Sequence, residues 1–414
     1  MLKSIIIVDD YAYINGGAAS VAIQSAIHLA NNTPYDVYYF SAVGPACDEL
    51  KNAKFKQLIC LEQYDLLHNP NKISAFVNGI WNKEAKTRFS KFLHKFSPDT
   101  TIIHVHTWTK AFSSSIFSAA KKIDIKVVVT LHDYFVNCPN GGYFNYTNSQ
   151  ICTLKPMSVK CLLTNCDSRR YYFKLWRVLR QYVQNQYIKD SKNISYIAVS
   201  EFSKDRIQNR SPELEDITII NNPVKFSNRH QINVITNNTY LFIGRLSEEK
   251  GIRLFCNTMR NMNLNAVIVG DGPLKEELVK EFQSDKIIFT GWLSRFQING
   301  YLKSVRCLVF TSLWYETLGL TVLEAQSRGI PCLVGNQTAA SELIRDNVNG
   351  LLFKGGDQNS LENVIAKTFN DDLIKTLSEN AYNDFDLIRY DINVHVQLLT
   401  DYYEKSLLSK HEII

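Results

Sequence analysis

Residues 312–334 read SLWYETLGLTVLEAQSRGIPCLV, with seven residues between Glu316 and Glu324. The apolar run 307–310 ahead of them has the length of a buried strand. Residues 318–328 have the pattern of a helix, stopped by Gly329 and then Pro331. Glu316 therefore falls in a strand-to-helix turn, and Glu324 about a turn and a half into the helix. A helix that starts after a parallel strand presents unpaired N–H groups and the positive end of its dipole, which suits a phosphate. Gly319 lets a ligand approach that backbone. Taken alone, the two glutamates read as the solvated face of a surface helix, because glutamate is mostly exposed.

Upstream, residues 240–243 read as a strand that runs into GRLSEEKGI at 244–252. Gly244 permits a tight turn, and Arg245 and Lys250 stand five apart across it. Two cations near a helix start suit a diphosphate, since charge-assisted hydrogen bonds contribute roughly 1.5–3 kcal/mol each. In isolation they read as solvated charges. A strand at 266–269 is followed by Gly270-Asp271-Gly272-Pro273, and one at 287–290 by Gly291-Trp292.

The first half has the same rhythm. An apolar strand at 3–8 ends at Asp9-Asp10, and Gly16-Gly17 opens a helical pattern. Strand, glycine turn and helix open a doubly wound α/β domain. The turn lacks G-x-G-x-x-G, so a nicotinamide enzyme is not indicated. Strands at 101–105 and 126–130 end in His104-Val105-His106 and Leu131-His132-Asp133. Ligands collect at the carboxyl ends of parallel strands, so both strands point at one cleft. No carboxylate or cysteine spacing supports a metal site made from these histidines. Residues 225–238, polar and rich in Asn, read as an interdomain linker. The domains are then 1–224, 239–384 and a helical tail, 385–414. The fold class is α/β, with two doubly wound Rossmann-like domains facing a cleft.

Four of nine cysteines, Cys138, Cys152, Cys161 and Cys166, fall in a loop-like stretch at 138–166. Two readings stay open: a structural zinc tetrathiolate, or unrelated buried thiols. Next comes a basic helix at 168–190, with Trp176, Leu179, Val183 and Tyr187 on one face and Arg170, Lys174 and Arg177 on another. It either packs its apolar face on the core or lies on an anionic membrane. The lysine-rich helix at 83–96 offers a second such surface.

The chain has 414 residues, 45% of them hydrophobic, 21% charged, and a formal charge of +6. That is ordinary globular composition for two or three domains. No apolar run reaches the length of a membrane span. The short apolar start followed by two aspartates reads as a strand and not a signal peptide, which places the chain in the cytosol. Basic residues alternate with acidic ones, which disfavours nucleic acid as a partner.

Glu316, Gly319-Leu320, Glu324-Ala325 and Gly329-Ile330-Pro331 together resemble the donor-binding signature of glycosyltransferase family 4. These are retaining, nucleotide-sugar-dependent enzymes of the GT-B fold. The stretch 244–251 resembles the family's diphosphate-binding G-R-x-x-x-x-K-G motif. The Gly270–Gly272 turn, Gly291-Trp292, Gly16-Gly17 and His132-Asp133 resemble its other site loops. The resemblance implies that Arg245 and Lys250 hold the diphosphate, helped by amides near Gly319 and Leu320. It implies that Glu324 holds the ribose, that Glu316 and His132 contact the donor sugar, and that Gly16, Gly17, Gly244, Gly270, Gly272 and Trp292 line the donor site. His132, Glu316, Arg245 and Lys250 are the catalytic candidates. No cofactor is required beyond the nucleotide-diphosphate sugar. A glycan or lipid-linked acceptor in polysaccharide, capsule or lipopolysaccharide assembly is implied, with peripheral contact at the inner face of the membrane. A sugar-nucleotide epimerase and a non-catalytic sugar-binding protein are the alternatives.

Overall fold

The computed structural model describes residues 1–189, 193–214, 216–224 and 229–411, with only the backbone of residue 295 and of residues 409–411. Of the linker at 225–238, residues 225–228 lie outside the described residues, as do 412–414 of the tail. Two parallel sheets organise the chain. The first contains β1 (Ser4–Tyr11), β2 (Asp36–Val43), β3 (Gln57–Cys60), β4 (Thr101–Val105), β5 (Lys126–Leu131), β8 (Ile194–Ala198) and β9 (Ile217–Ile219) in the order β3-β2-β1-β4-β5-β8-β9. A hairpin of β6 (Phe144–Asn145) and β7 (Gln150–Ile151) lies in the cysteine-bearing insertion. The second sheet contains β10 (Thr239–Ile243), β11 (Asn265–Val269), β12 (Ile287–Gly291), β13 (Val305–Phe310), β14 (Cys332–Gly335) and β15 (Gly350–Phe353) in the order β12-β11-β10-β13-β14-β15.

A parallel sheet is covered on both faces, so its strands read as continuous apolar runs. β1 shows why. Ile6 and Val8 pack with Phe89, Phe92 and Phe117 on one face. Ile5 and Ile7 pack with Ile23, Ala26 and Leu29 on the other. Val396, Leu399, Tyr403 and Leu407 of the last helix, Ile392–His411, join that second face. The sequence pattern starts this helix at 385. Asp391 sets the start later, accepting hydrogen bonds from the backbone N–H groups of Asn393 (2.8 Å) and Val394 (3.3 Å).

Of the two orientations open for the helix Tyr171–Ile188, the structure shows the one with its apolar side turned away from the core. It buries Lys174, Arg180, Gln181, Gln184 and Ile188 and exposes Tyr172, Leu175, Leu179 and Tyr182. Its polar side chains satisfy backbone carbonyls: Arg180 donates to Thr109 (3.2 Å), Gln181 to Val136 (3.2 Å) and Gln184 to Phe135 (2.7 Å). Buried carbonyls left without donors are costly, so the polar face turns inward.

Arg306, buried on β13, holds the second sheet to its periphery. It donates to the carbonyls of Thr368 (2.7 Å), Ile235 (3.1 Å) and Asn237 (3.2 Å) and pairs with Asp371 (2.6 Å). Arg306→Met leaves those carbonyls unpaired. We expect it to lower unfolding free energy by about 1–3 kcal/mol, the cost of buried carbonyls left without a donor, read as a lower urea midpoint. A loss under about 1 kcal/mol would mean that water replaces the guanidinium.

Candidate functional site

In an open parallel sheet the crevice opens where strand order reverses. These points lie between β1 and β4 in the first sheet and between β10 and β13 in the second.

On the second-sheet side, the loop after β10 is zipped to the loop after β11. Gly244 N–H donates to Val269 (3.0 Å), Leu246 N–H to Asp271 (2.9 Å) and Leu274 N–H to Leu246 (3.1 Å). A Cβ on Gly270, at φ +147°, would lie 1.9 Å from the Gly244 oxygen, and one on Gly272 2.5 Å from the Leu246 oxygen. These two glycines therefore serve loop-on-loop packing. Arg245 is exposed on this platform, with no hydrogen bond or ion pair to its guanidinium among the described residues. Lys250 closes a short turn, Glu248–Lys250. Gly251 follows at φ +67°, where a Cβ would meet the Thr311 oxygen at 2.1 Å. That approach brings Lys250 to the loop after β13, where it forms an ion pair with the buried Glu316. Ser312 Oγ donates to the same Glu316 oxygen at 2.8 Å, and Lys250 Nζ lies 5.0 Å from the Trp314 ring centre.

The helix after this loop is Leu320–Gln326, shorter than 318–328, with Gly319 as its N-cap. Glu324 is its fifth residue and half-buried. A Cβ on Gly319 would lie 2.6 Å from Ala340 Cβ, so this glycine answers a packing constraint as well as leaving the helix end open. Trp292, just past edge strand β12, is 75% exposed.

On the first-sheet side, Gly16 faces open space, and a Cβ on Gly17 would lie 3.1 Å from Leu320 Cδ1. The glycine turn therefore looks across at the helix that carries Glu324. His132 follows β5. Its carbonyl accepts from Thr317 Oγ1 (2.9 Å), and its Nε2 lies 3.0 Å from His106 Nδ1. Burial pushes His132 down to about 3, with His395 adding to the shift, so its ring is neutral at neutral pH. His104 goes elsewhere: it bonds Tyr403 of the last helix (2.6 Å) and Thr130 (2.7 Å). Of the three histidines at the strand ends, His106 and His132 meet at the cleft, and His104 locks the last helix to the sheet. Asp10 accepts the N–H groups of Lys110, Ala111 and Phe112 at 2.7–2.9 Å, which fixes the loop after β4.

Of the two readings open for Cys138, Cys152, Cys161 and Cys166, the structure does not bring the four together as a zinc tetrathiolate. Among the described residues no group of three or more His, Cys, Asp or Glu converges to hold a metal. Lys174 lies beside two of them, its Nζ 3.4 Å from Cys161 Sγ and 3.3 Å from Cys166 Sγ.

Several residues that complete the cleft give no local signal. Ser200 Oγ donates to the Thr317 carbonyl at 2.7 Å. Arg210 lies over both Tyr143 of the insertion (4.4 Å) and Tyr315 (5.3 Å). Burial lifts the Tyr146 phenol, with Glu249 adding to the rise and Arg177 and Arg245 opposing it. These contacts join residues far apart in sequence, which spacing cannot reveal.

The profile described as Glycosyltransferase Family 4 matches residues 15–227, and that of Glycosyl transferases group 1 matches residues 225–384. An Escherichia coli UDP-Gal:alpha-D-GlcNAc-diphosphoundecaprenol alpha-1,3-galactosyltransferase is 29% identical over 187 residues, 42% of this chain and 47% of that protein. The O-antigen chain mannosyltransferase C of Escherichia coli is 27% identical over 186 residues, 42% of this chain and 50% of that protein. The chain thus spans about half the length of these curated relatives. Among solved structures, Anabaena HepE in complex with UDP and glucose superposes with a TM-score of 0.68 at 17% identity, covering 97% of this chain and 100% of that one. Sucrose-phosphate synthase of Thermosynechococcus elongatus gives a TM-score of 0.71 at 15% identity, covering 98% and 100%. At such identity the two structures support the GT-B fold alone.

Burial also lowers His104 and His106 well below the usual imidazole range, and His395 to about 4. A base depressed in the folded state stabilises the fold above its unfolded value. That stability is lost as pH falls through the folded value. We therefore expect stability to fall from about pH 6.5 downward, with a slope of about 1.4 kcal/mol per pH unit for each histidine engaged. Thermal melts across pH 7 to 4 check this; a flat melting temperature would contradict it.

Proposed function

The chain belongs to glycosyltransferase family 4, and from that premise we propose that it transfers a hexose, with retention, from a nucleoside-diphosphate sugar to a glycan or lipid-linked glycan acceptor. Cell-surface polysaccharide assembly at the cytoplasmic face of a membrane is the setting. The printed activities of the Escherichia coli relatives, a galactosyltransferase and an O-antigen mannosyltransferase, support it. One observation carries the reading. Arg245, Lys250 and Glu316 gather at the switch point of the second sheet. Glycine turn 16–17 and His132 stand across from them.

In this reading Arg245 and Lys250 bind the diphosphate, and the N–H groups at Gly319 and Leu320 add the positive end of the following helix. Glu324 accepts hydrogen bonds from the ribose hydroxyls. Trp292 and the Gly291 turn flank the base, while Gly270 and Gly272 hold the Gly244-Arg245 loop in place. Glu316 and neutral His132 position the sugar by hydrogen bonds. The bond from the anomeric carbon to the phosphate oxygen breaks, and negative charge grows on that oxygen. The fixed cations stabilise this charge where it develops. The acceptor oxygen bonds the same face of the anomeric carbon, and its proton passes to the departing phosphate. Closure of the cleft excludes water.

Arg245→Ala and Lys250→Ala should each lower the transfer rate by roughly 10²–10³. The assay follows radiolabelled sugar into product from a panel of UDP- and GDP-sugars. Near-wild-type rates in both variants would remove the proposed charge role.

A further inference from the structure

The helix Tyr171–Ile188 presents its apolar side outward, with Leu179 47% and Tyr182 60% exposed. These two positions and Leu175 recur at helical spacing and form one strip. The helix Lys72–Ile80 does the same with Ile73 (78% exposed), Phe76 and Val77. The strips adjoin. Trp176 Nε1 donates to the Phe76 carbonyl at 3.0 Å, and the two rings lie 5.8 Å apart. Gly79 makes the approach possible, since a Cβ there would lie 2.4 Å from the Trp176 ring.

Charge on this face is predominantly basic. Neither helix contains an acidic residue, and residues 81–95 carry five cations against Glu84 alone. Glu84 lies within ion-pair reach of Arg88 (3.5 Å). Past the end of the first helix, Trp81 packs on Tyr187 with ring centres 5.2 Å apart. Trp81 also lines an open cleft of about 500 Å³ with Lys83, Lys86, Lys91 and His94. The Lys86 ammonium sits 4.9 Å from the Trp81 ring. An apolar strip thus runs alongside a cationic, aromatic-walled cleft. Isolated exposed apolar residues are ordinary, but a contiguous patch marks an interaction surface.

We infer that the face formed by helices Lys72–Ile80 and Tyr171–Ile188 docks on an anionic lipid bilayer, with lipid phosphates seated in the cleft lined by Trp81, Lys83 and Lys86. Leucine, isoleucine and phenylalanine side chains enter the acyl boundary, tyrosine and tryptophan rings sit at headgroup level, and lysines reach the phosphates. The orientation of Tyr171–Ile188 supports this: a helix with its polar face used up inside and its apolar face unpartnered needs an apolar medium outside. The inference builds on the proposed lipid-linked acceptor. Its test needs neither donor nor acceptor, so either can fail without the other.

The test is flotation of the full chain with phosphatidylcholine vesicles, with and without phosphatidylglycerol. The protein should float with the phosphatidylglycerol vesicles at low salt and less at high salt. Leu175→Asp with Leu179→Asp should weaken partitioning about tenfold or more, and Lys83→Glu with Lys86→Glu about fivefold or more. Unchanged thermal melts show that the variants are folded. No flotation at low salt, or equal flotation of the folded leucine variant, would overturn the inference. Equal binding to pure phosphatidylcholine would overturn the headgroup cleft.

Discussion

The ion pair between Lys250 and Glu316 sets the geometry of the cleft. It joins two loops, after β10 and after β13, that sequence separates by 66 residues and the strand order makes adjacent. The loops can meet because Gly251 admits the Thr311 carbonyl. Thr311 Oγ1 and Leu313 N–H then donate to the carbonyls of Lys250 (3.1 Å) and Glu249 (2.8 Å). From Glu316 the chain passes to Thr317, which bonds His132 and Ser200 of the first domain. One short segment therefore fixes the cation, the carboxylate and the contact between the halves. The pair also defines a chemical competition. A carboxylate that holds the ammonium occupies the charge that a diphosphate would seek.

Two surfaces then divide the work. The cleft at the two switch points gathers charge and glycine turns for a soluble, anionic donor. The helices Lys72–Ile80 and Tyr171–Ile188 gather the exposed apolar side chains, next to the lysines of Lys83–Leu93, that we propose for a lipid surface. The long cysteine-bearing insertion lies between them. It touches the first through Tyr143, which shares Arg210 with Tyr315, and through Gly142, whose Cβ would meet the Trp314 ring at 3.0 Å. It touches the second through Lys174, anchored among its thiols.

The sheets were legible because strands buried on both faces are written as unbroken apolar runs, and because glycine turns follow them. The pattern placed Lys250 and Glu316 in separate loops, and only the strand order joins them. Other features were hidden for definite reasons. The orientation of the helix Tyr171–Ile188 stayed open in the sequence, since the carbonyls that Arg180, Gln181 and Gln184 satisfy lie 45–71 residues away. Gly319 read as room for a ligand, and Ala340 shows that packing also demands it. The four cysteines read as a metal site or as unrelated thiols because residue type does not reveal that a lysine from a following helix packs against Cys161 and Cys166.

If Lys250 binds the donor diphosphate as proposed, the diphosphate must displace Glu316 from it. Calorimetric titration of UDP, GDP and ADP into the wild-type protein and Glu316→Gln tests it most directly. The account predicts that the variant binds the preferred diphosphate more tightly, because a neutral amide no longer competes for the ammonium, while transfer collapses. Weaker diphosphate binding in Glu316→Gln would contradict it, and would make Glu316 a direct support of the nucleotide site.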